Sequence, residues 1–289
     1  MSKKKIRRKR EQWKRINAGQ YGDAKEFLKK HESTCVSACS RFSRIADGRN
    51  GHIWHIKNER DEITALLIHN RHSMYPVFDQ RSDIPSPRFL NRFLGKVYIH
   101  AIQGLSEDVK ILESLMEIQS YFARERIEYD LMTLDEMPIM DSKKNIPKNL
   151  IIRPPLPDEC DFLFLLQAAY EQEEVIPKDG IFDPVYSRNN LNRILSKEHV
   201  MVAELNGLLV GKINTSLSSF SRSQIGGVYV RPEFRGRGIA SIMTYVFAEK
   251  LISKGLGISL FVKKRNIPAK AVYKKLGFKI LGDYQINYY

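Results

Sequence analysis

Long apolar runs are missing from this 289-residue sequence. No stretch approaches the roughly 18 residues that a membrane-crossing helix needs. No charged–apolar–small pattern of a secretory leader opens the chain. Cysteine is scarce as well, with three residues, an odd number, and no C-x-x-C pair. That argues against a disulfide framework and fits a reducing compartment, so a cytoplasmic location is expected. One cluster, His31, Cys35 and Cys39 at successive helical turns, hints at a metal. Three such ligands are strung along about 12 Å of one helix and close poorly around a single zinc. No metal is expected there, and small core cysteines are.

Charge is abundant but unevenly placed. The formal net charge is +14. Residues 1–15 hold nine Lys/Arg and one Glu, residues 16–150 balance, and residues 151–289 hold 19 Lys/Arg against 13 Asp/Glu. Most of the basicity is therefore a terminal run rather than a face of the fold. Such a run is a solvated leader, or else a contact for nucleic acid, a ribosome or an acidic partner. No interleaving of aromatic and basic residues supports nucleic-acid binding beyond it.

The length suits two domains. After the tail, apolar spacing predicts one helix from Gly22 to about Ile45. Alternation predicts a hairpin of strands 52–56 and 63–68 around the polar turn 58–62. Residues 79–92 read as a loop. Val97 to Ile102 reads as a strand ending at Gly104, with Ser106 capping a helix that runs to Phe122. Residues 127–134 form one more strand, and the Pro-containing stretch 137–149 reads as a linker. Beyond it come a strand at 151–153, a helix from Asp158 to about Tyr170, an acidic stretch with Glu171, Glu173 and Glu174, and a helix ending at 191–196. A second hairpin, 199–204 and 208–215, turns at Asn206-Gly207. The two hairpins correspond, and each half continues as strand, turn, helix, strand. The expectation is a duplicated α/β fold of about 140 residues per copy. The parts are a basic tail 1–15, a first domain 16–136, the linker 137–149 and a second domain 150–289.

One stretch carries chemistry. From Gly226 through Tyr229 and Pro232 to Ala240, a strand passes through a basic glycine turn into a helix. That helix, Gly238 to about Lys254, has Ile239, Ile242, Met243, Val246, Phe247 and Leu251 on one face. Unpaired N–H groups and the helix dipole at such a junction favour an anion, and two arginines add charge.

Arg235-Gly236-Arg237-Gly238-Ile239-Ala240 matches the [Q/R]-x-x-G-x-[G/A] motif between the fourth strand and third helix of the GCN5-related N-acetyltransferases. Ile258–Val262 resembles their fifth strand. Asn266-x-x-Ala269-x-x-x-Tyr273-x-x-x-Gly277-Phe278 resembles their fourth helix and the start of the sixth strand. The likeness is closest over 199–289, extends back to 150 and is faint over 16–136. It implies a mixed, mostly antiparallel sheet flanked by helices, in two tandem copies. It also implies acetyl-coenzyme A as donor and a small-molecule or peptide amine as acceptor.

In that reading Arg235, Gly236, Arg237, Gly238, Ile239 and Ala240 hold the pyrophosphate by backbone N–H groups. Val228, Tyr229 and Val230 pair with the pantetheine arm, and one of their N–H groups polarises the thioester. Asn266 caps the next helix beside the arm, and Tyr273 protonates the departing thiolate. No carboxylate lies in Ser223–Val230. Glu173 and Glu174, bordering the acceptor side, are bases, binders of a cationic acceptor, or solvated charges. In the first half, Gln103-Gly104-Leu105-Ser106-Glu107-Asp108 stands where the phosphate turn is expected, and its two acids repel a pyrophosphate. A degenerate first copy follows from that. Two other readings stay open: a non-catalytic acetyl-coenzyme A sensor, and a nucleic-acid or ribosome-associated module working through the tail. Acceptor identity and oligomeric state are not readable.

Overall fold

The computed structural model describes residues 13–79, 89–90, 94, 97–140, 146–176 and 180–289. The basic tail through residue 12, most of the expected 79–92 loop and the centre of the 137–149 linker lie outside the described residues. Contacts group the chain into two units. One comprises Met1–His31, Arg41–Ile127 and Gln285–Tyr289; the other comprises Glu32–Ser40 and Glu128–Tyr284. Each unit thus draws on both halves of the sequence.

In the first unit, strands β1 (Lys14–Arg15), β2 (His52–Lys57), β3 (Ile63–Asn70) and β4 (Ser73–Phe78) are successive antiparallel neighbours. The expected hairpin is β2–β3. Strand β5 (Ala101–Leu105) joins β4 in parallel, but only through Ser73↔Ala101 and Met74↔Ile102. Helices α1 (Tyr21–Lys30), α2 (Val36–Ala46) and α3 (Ser106–Ile118) complete the N-terminal elements. Leu67, Met74, Ile102, Val109, Leu112 and Met116 are fully buried together. The leucines and isoleucine of β3 face both sides of a covered sheet, so this strand reads as a continuous apolar run and not an alternation.

Three expectations change here. The single helix over 22–45 is two helices. The break comes where Glu32 leaves helical bonding and accepts from Ser219 Oγ at 2.5 Å, Ser221 N at 2.7 Å and Ser221 Oγ at 2.6 Å. Distant partners outcompete local periodicity. The stretch ending at Pro76 is strand β4, with Pro76 inside it. The ladder to β5 has already ended at Met74, so the missing N–H costs no bond there. Gly104 lies within β5, not at its end. Ser106 opens α3 without capping it; its hydroxyl donates to Gln285 Oε1 at 2.9 Å. The helix stops at Ile118, and Phe122 is exposed.

In the second unit the strand order is β6-β11-β10-β9-β8-β7. The strands are β6 (Glu125–Leu134), β7 (Leu150–Arg153), β8 (Val200–Leu205), β9 (Leu208–Ser218), β10 (Arg222–Val230) and β11 (Gly257–Lys263). All these pairs are antiparallel except β10 with β11, and β12 (Lys279–Tyr288) flanks β6. Helices α4 (Cys160–Tyr170), which runs into a π-turn at Glu171–Val175, and α5 (Pro184–Lys197) cover one face. Helices α6 (Ile239–Ile252) and α7 (Ile267–Lys275) cover the other. The β8–β9 turn has Asn206 at φ 52° and Gly207 at φ 81°, the left-handed pair that a two-residue hairpin demands. Both units are mixed, mostly antiparallel α/β sheets flanked by helices, as expected. Among the described residues no helix is long and apolar enough to cross a membrane, and no group of three or more His, Cys, Asp or Glu is placed to hold a metal.

This topology moves one assignment. The parallel pair β4–β5 corresponds to the parallel pair β10–β11. The Gln103–Asp108 turn follows β5, so its counterpart is the β11–α7 turn and not the phosphate turn. The counterpart of the phosphate turn follows β4, in 79–92, a stretch with no glycine. Strand pairing, invisible in the sequence, decides this.

Candidate active site

The site begins where two parallel strands part. β10 and β11 pair from Arg222↔Gly257 to Ile225↔Leu260. On its other side β10 faces β9 at Gly226↔Asn214 and next at Tyr229↔Lys212, so three steps on β10 match two on β9. Gly227 and Val228 are the bulge, which bends a strand and frees its backbone. Gly227 has φ 60°, and a Cβ there would lie 2.1 Å from Asn214 Oδ1 and 2.7 Å from Lys212 Nζ. Only glycine fits. Beyond the bulge β10 runs without β11, and an opening remains between them.

The chain then makes a 3₁₀ turn, Pro232–Phe234, and enters α6. Gly236 and Gly238 have φ 75° and 78°, and Gly238 is the N-cap with no side chain capping it. The first turn holds no acid, so its N–H groups and dipole are available to an anion. A Cβ at Gly236 would meet nothing within 4 Å; the space before the turn is open. Arg235 donates Nε to Val230 O at 2.8 Å and Nη2 to Glu173 Oε2 at 2.7 Å, and lies 5.4 Å from the Tyr229 ring centre. Arg237 donates to Glu233 O at 3.1 Å and covers Phe234. Ile239 is buried and Ala240 packs beside it, anchoring the turn to the core.

Asn266 caps α7, its Oδ1 accepting from Ala269 N at 3.1 Å. Its Nδ2 donates to Glu174 Oε1 at 3.1 Å, and Lys263 Nζ lies 3.2 Å from Glu174 Oε2. The π-turn thus sends its two carboxylates apart, Glu173 to the phosphate turn and Glu174 to the α7 cap. Neither reaches the bulge by any bond of the described residues. Tyr273 is 7% exposed. Burial first, then Tyr170 and Glu174, push its phenol well above the ordinary range, so it keeps its proton until a strong base appears.

Sequence reasoning passed over Lys212. It is 1% exposed, and its Nζ donates to Asn214 Oδ1 at 2.9 Å and Gly227 O at 3.1 Å, 4.9 Å from the Tyr170 ring centre. Burial drives its amino group down to about 7, with Glu171 partly opposing. Glu171 is buried and accepts from Gln167 Nε2 at 2.6 Å and Asn190 Nδ2 at 3.0 Å. Burial also raises the Tyr170 phenol, against the Gly227 backbone. The available signal was a lysine inside the apolar run Val210-Gly211-Lys212-Ile213.

Residues 164–278 match the family model described as the acetyltransferase (GNAT) family. A curated acetyltransferase of Pectobacterium atrosepticum is 34% identical over 82 residues, 27% of this chain and 56% of that protein. The chain therefore spans about half the length of that relative. In fold, a GCN5-related N-acetyltransferase of Sphaerobacter thermophilus superposes with TM-score 0.58 at 15% identity, over 95% of this chain and 94% of its own. A tandem GNAT protein from the clavulanic acid biosynthesis pathway gives TM-score 0.58 at 11% identity, over 95% and 97%.

Proposed function

We propose a function from the premise that residues 164–278 of this chain are a domain of the acetyltransferase (GNAT) family. The protein is an N-acetyltransferase that takes its acetyl group from acetyl-coenzyme A. One observation carries this reading: the parting of β10 from β11 at a glycine bulge lies immediately before an uncapped, acid-free helix N-terminus. A ligand with a pyrophosphate at one end and a thioester arm at the other fits that sequence of features.

The chain's residues divide the work. Backbone N–H groups from Arg235 to Ala240 bind the pyrophosphate, and Arg235 and Arg237 supply cationic charge. The backbone of Val228, Tyr229 and Val230 pairs with the arm and orients it, and an N–H of the bulge polarises the carbonyl. Bound acetyl-coenzyme A supplies a thioester, whose C–S bond breaks as the acceptor nitrogen forms the new C–N bond. Tyr273 holds the proton that the leaving thiolate takes. Glu174 orients Asn266 and Lys263, and Glu173 holds Arg235. Each carboxylate is already bound to a cation, and both act as anchors here. The acceptor ammonium then loses its proton to water.

The test is thiol release from acetyl-coenzyme A across a panel of amines, including polyamines, amino acids and peptide N-termini. Release with at least one amine is the expected result. Binding of coenzyme A without release from any acceptor makes the protein a sensor. No binding at all ends the reading.

A further inference from the structure

The buried amino group of Lys212 is the one charged side chain at the bulge that the proposed reaction leaves unexplained. Its position is built from several elements. Lys212 faces Tyr229 across the β9–β10 ladder and Val202 across β8–β9. Tyr170 of α4 covers it, and Glu171 of the π-turn is the nearest carboxylate acting on its charge. Gln167 and Asn190, neutral, hold Glu171. The ion pairs of the described residues do not include Lys212. A methionine would fill the same volume without the cost of a buried, unpaired charge, so packing alone does not explain a lysine.

What the amino group grips is the bulge peptide. Gly227 and Val228 have no partners in the β9 register. In place of a strand partner, the Gly227 carbonyl accepts from Lys212 Nζ at 3.1 Å. Asn214 steadies that amine through Oδ1, while its own Nδ2 is committed to Thr215 O at 2.9 Å, which fixes the amide's orientation. A trans peptide points its C=O and the following N–H in opposite directions. Fixing the Gly227 oxygen toward Lys212 therefore fixes the Val228 N–H away from β9, on the side where β10 has left β11.

Resting on the acetyl-transfer reading, we propose that Lys212, braced by Asn214, is a positioning residue that aims the Val228 amide at the thioester carbonyl. It acts through the peptide and touches no substrate. An ammonium on the carbonyl side also polarises the peptide and makes its N–H a stronger donor.

The experiment uses the full chain and two variants, Lys212→Met and Asn214→Ser. It pairs steady-state kinetics with the ¹⁵N–¹H resonance of Val228 followed from pH 5.5 to 9. In the wild type the Val228 amide should titrate with a midpoint near the Lys212 value of about 7. In Lys212→Met this titration should vanish. The variant's kcat should fall about 100-fold, the scale of losing one donor to an oxyanion, with coenzyme A affinity and acceptor KM within about twofold. Asn214→Ser should lower kcat several-fold with binding intact, and it carries the test if Lys212→Met does not fold. Wild-type kcat in a folded variant, or a Val228 amide indifferent to pH in the wild type, overturns the proposal. A wild type that acetylates no amine overturns the enzymatic reading instead, and the amide titration still decides whether Lys212 controls the bulge.

Discussion

The two units place a buried charge of opposite sign against the same element. In the first unit, Asp108 from the start of α3 accepts from Phe78 N of β4 at 3.4 Å. In the second, Lys212 from β9 donates to Gly227 O of β10 at 3.1 Å. β4 and β10 are the corresponding strands, each parting from a parallel neighbour after a short ladder. Burial pushes Asp108 up to about 7, and Glu107 adds to the rise against the Phe78 bond. It pushes Lys212 down to about 7. A parallel pair that opens is thus common to both units, but an anion site is not. The second unit follows its opening with two left-handed glycines and a bare helix N-terminus. The first follows it with a glycine-free stretch and holds a carboxyl nearby. An opening between strands admits a ligand; backbone donors and the sign of the buried charge decide which ligand.

The sharpest way to break this comparison is stoichiometry. Titration calorimetry should find one coenzyme A per chain, and Arg237→Glu should weaken it by about 100-fold or more, since it puts a negative charge at the pyrophosphate turn. Two sites, or unchanged affinity in the variant, would erase the difference between the units. Next in size, Tyr273→Phe should reduce kcat by about 100-fold with coenzyme A binding intact, as measured by thiol release. A drop in affinity instead would mean that Tyr273 serves only as core.

The buried charges separate by pH. Lys212 titrates near 7 folded and at its ordinary value of 10.5 unfolded. Between those values the unfolded chain binds the extra proton, so stability rises with pH across that window. Below 7 the burial cost is fully present. Lys212→Met should raise Tm at pH 7 by on the order of 5 °C and flatten the rise toward pH 10. Asp108 runs the other way. Its folded value near 7 lies above the ordinary 3.8. Between them the folded chain keeps a proton that the unfolded chain has lost, so stability falls as pH rises from about 4 to 7. Asp108→Asn should remove that fall. Urea midpoints at pH 4, 7 and 10 check both signs, and a shift of the same sign in the two variants would refute the contrast. The smallest effect belongs to Glu173→Gln. Its bond to Arg235 joins two groups each 43% exposed, so coenzyme A affinity should change by no more than about threefold.

Sequence reading succeeded where structure is local. The Asn206-Gly207 hairpin, the helix behind Gly238 and the Asn266 cap depend on neighbours a few positions away, and each is where the spacing put it. It failed where distant partners intervene. Glu32 breaks a regular apolar pattern for serines far along the chain. Pro76 sits in a strand because a ladder ends early. Glu173 and Glu174, adjacent in sequence and alike in composition, go to different cations because a π-turn separates their directions.

The phosphate turn is therefore the part of this protein that the sequence determined by itself. Glycine φ angles, a helix start and two arginines are properties of one short segment, and they specify an anion without reference to the rest of the chain. The Lys212 site was decided only by the tertiary structure. A lysine on a strand is ordinary until a one-residue slip between β9 and β10 leaves a carbonyl unpaired and the ring of Tyr170 closes over the amine. Register and burial are relations between segments, and no single segment encodes them.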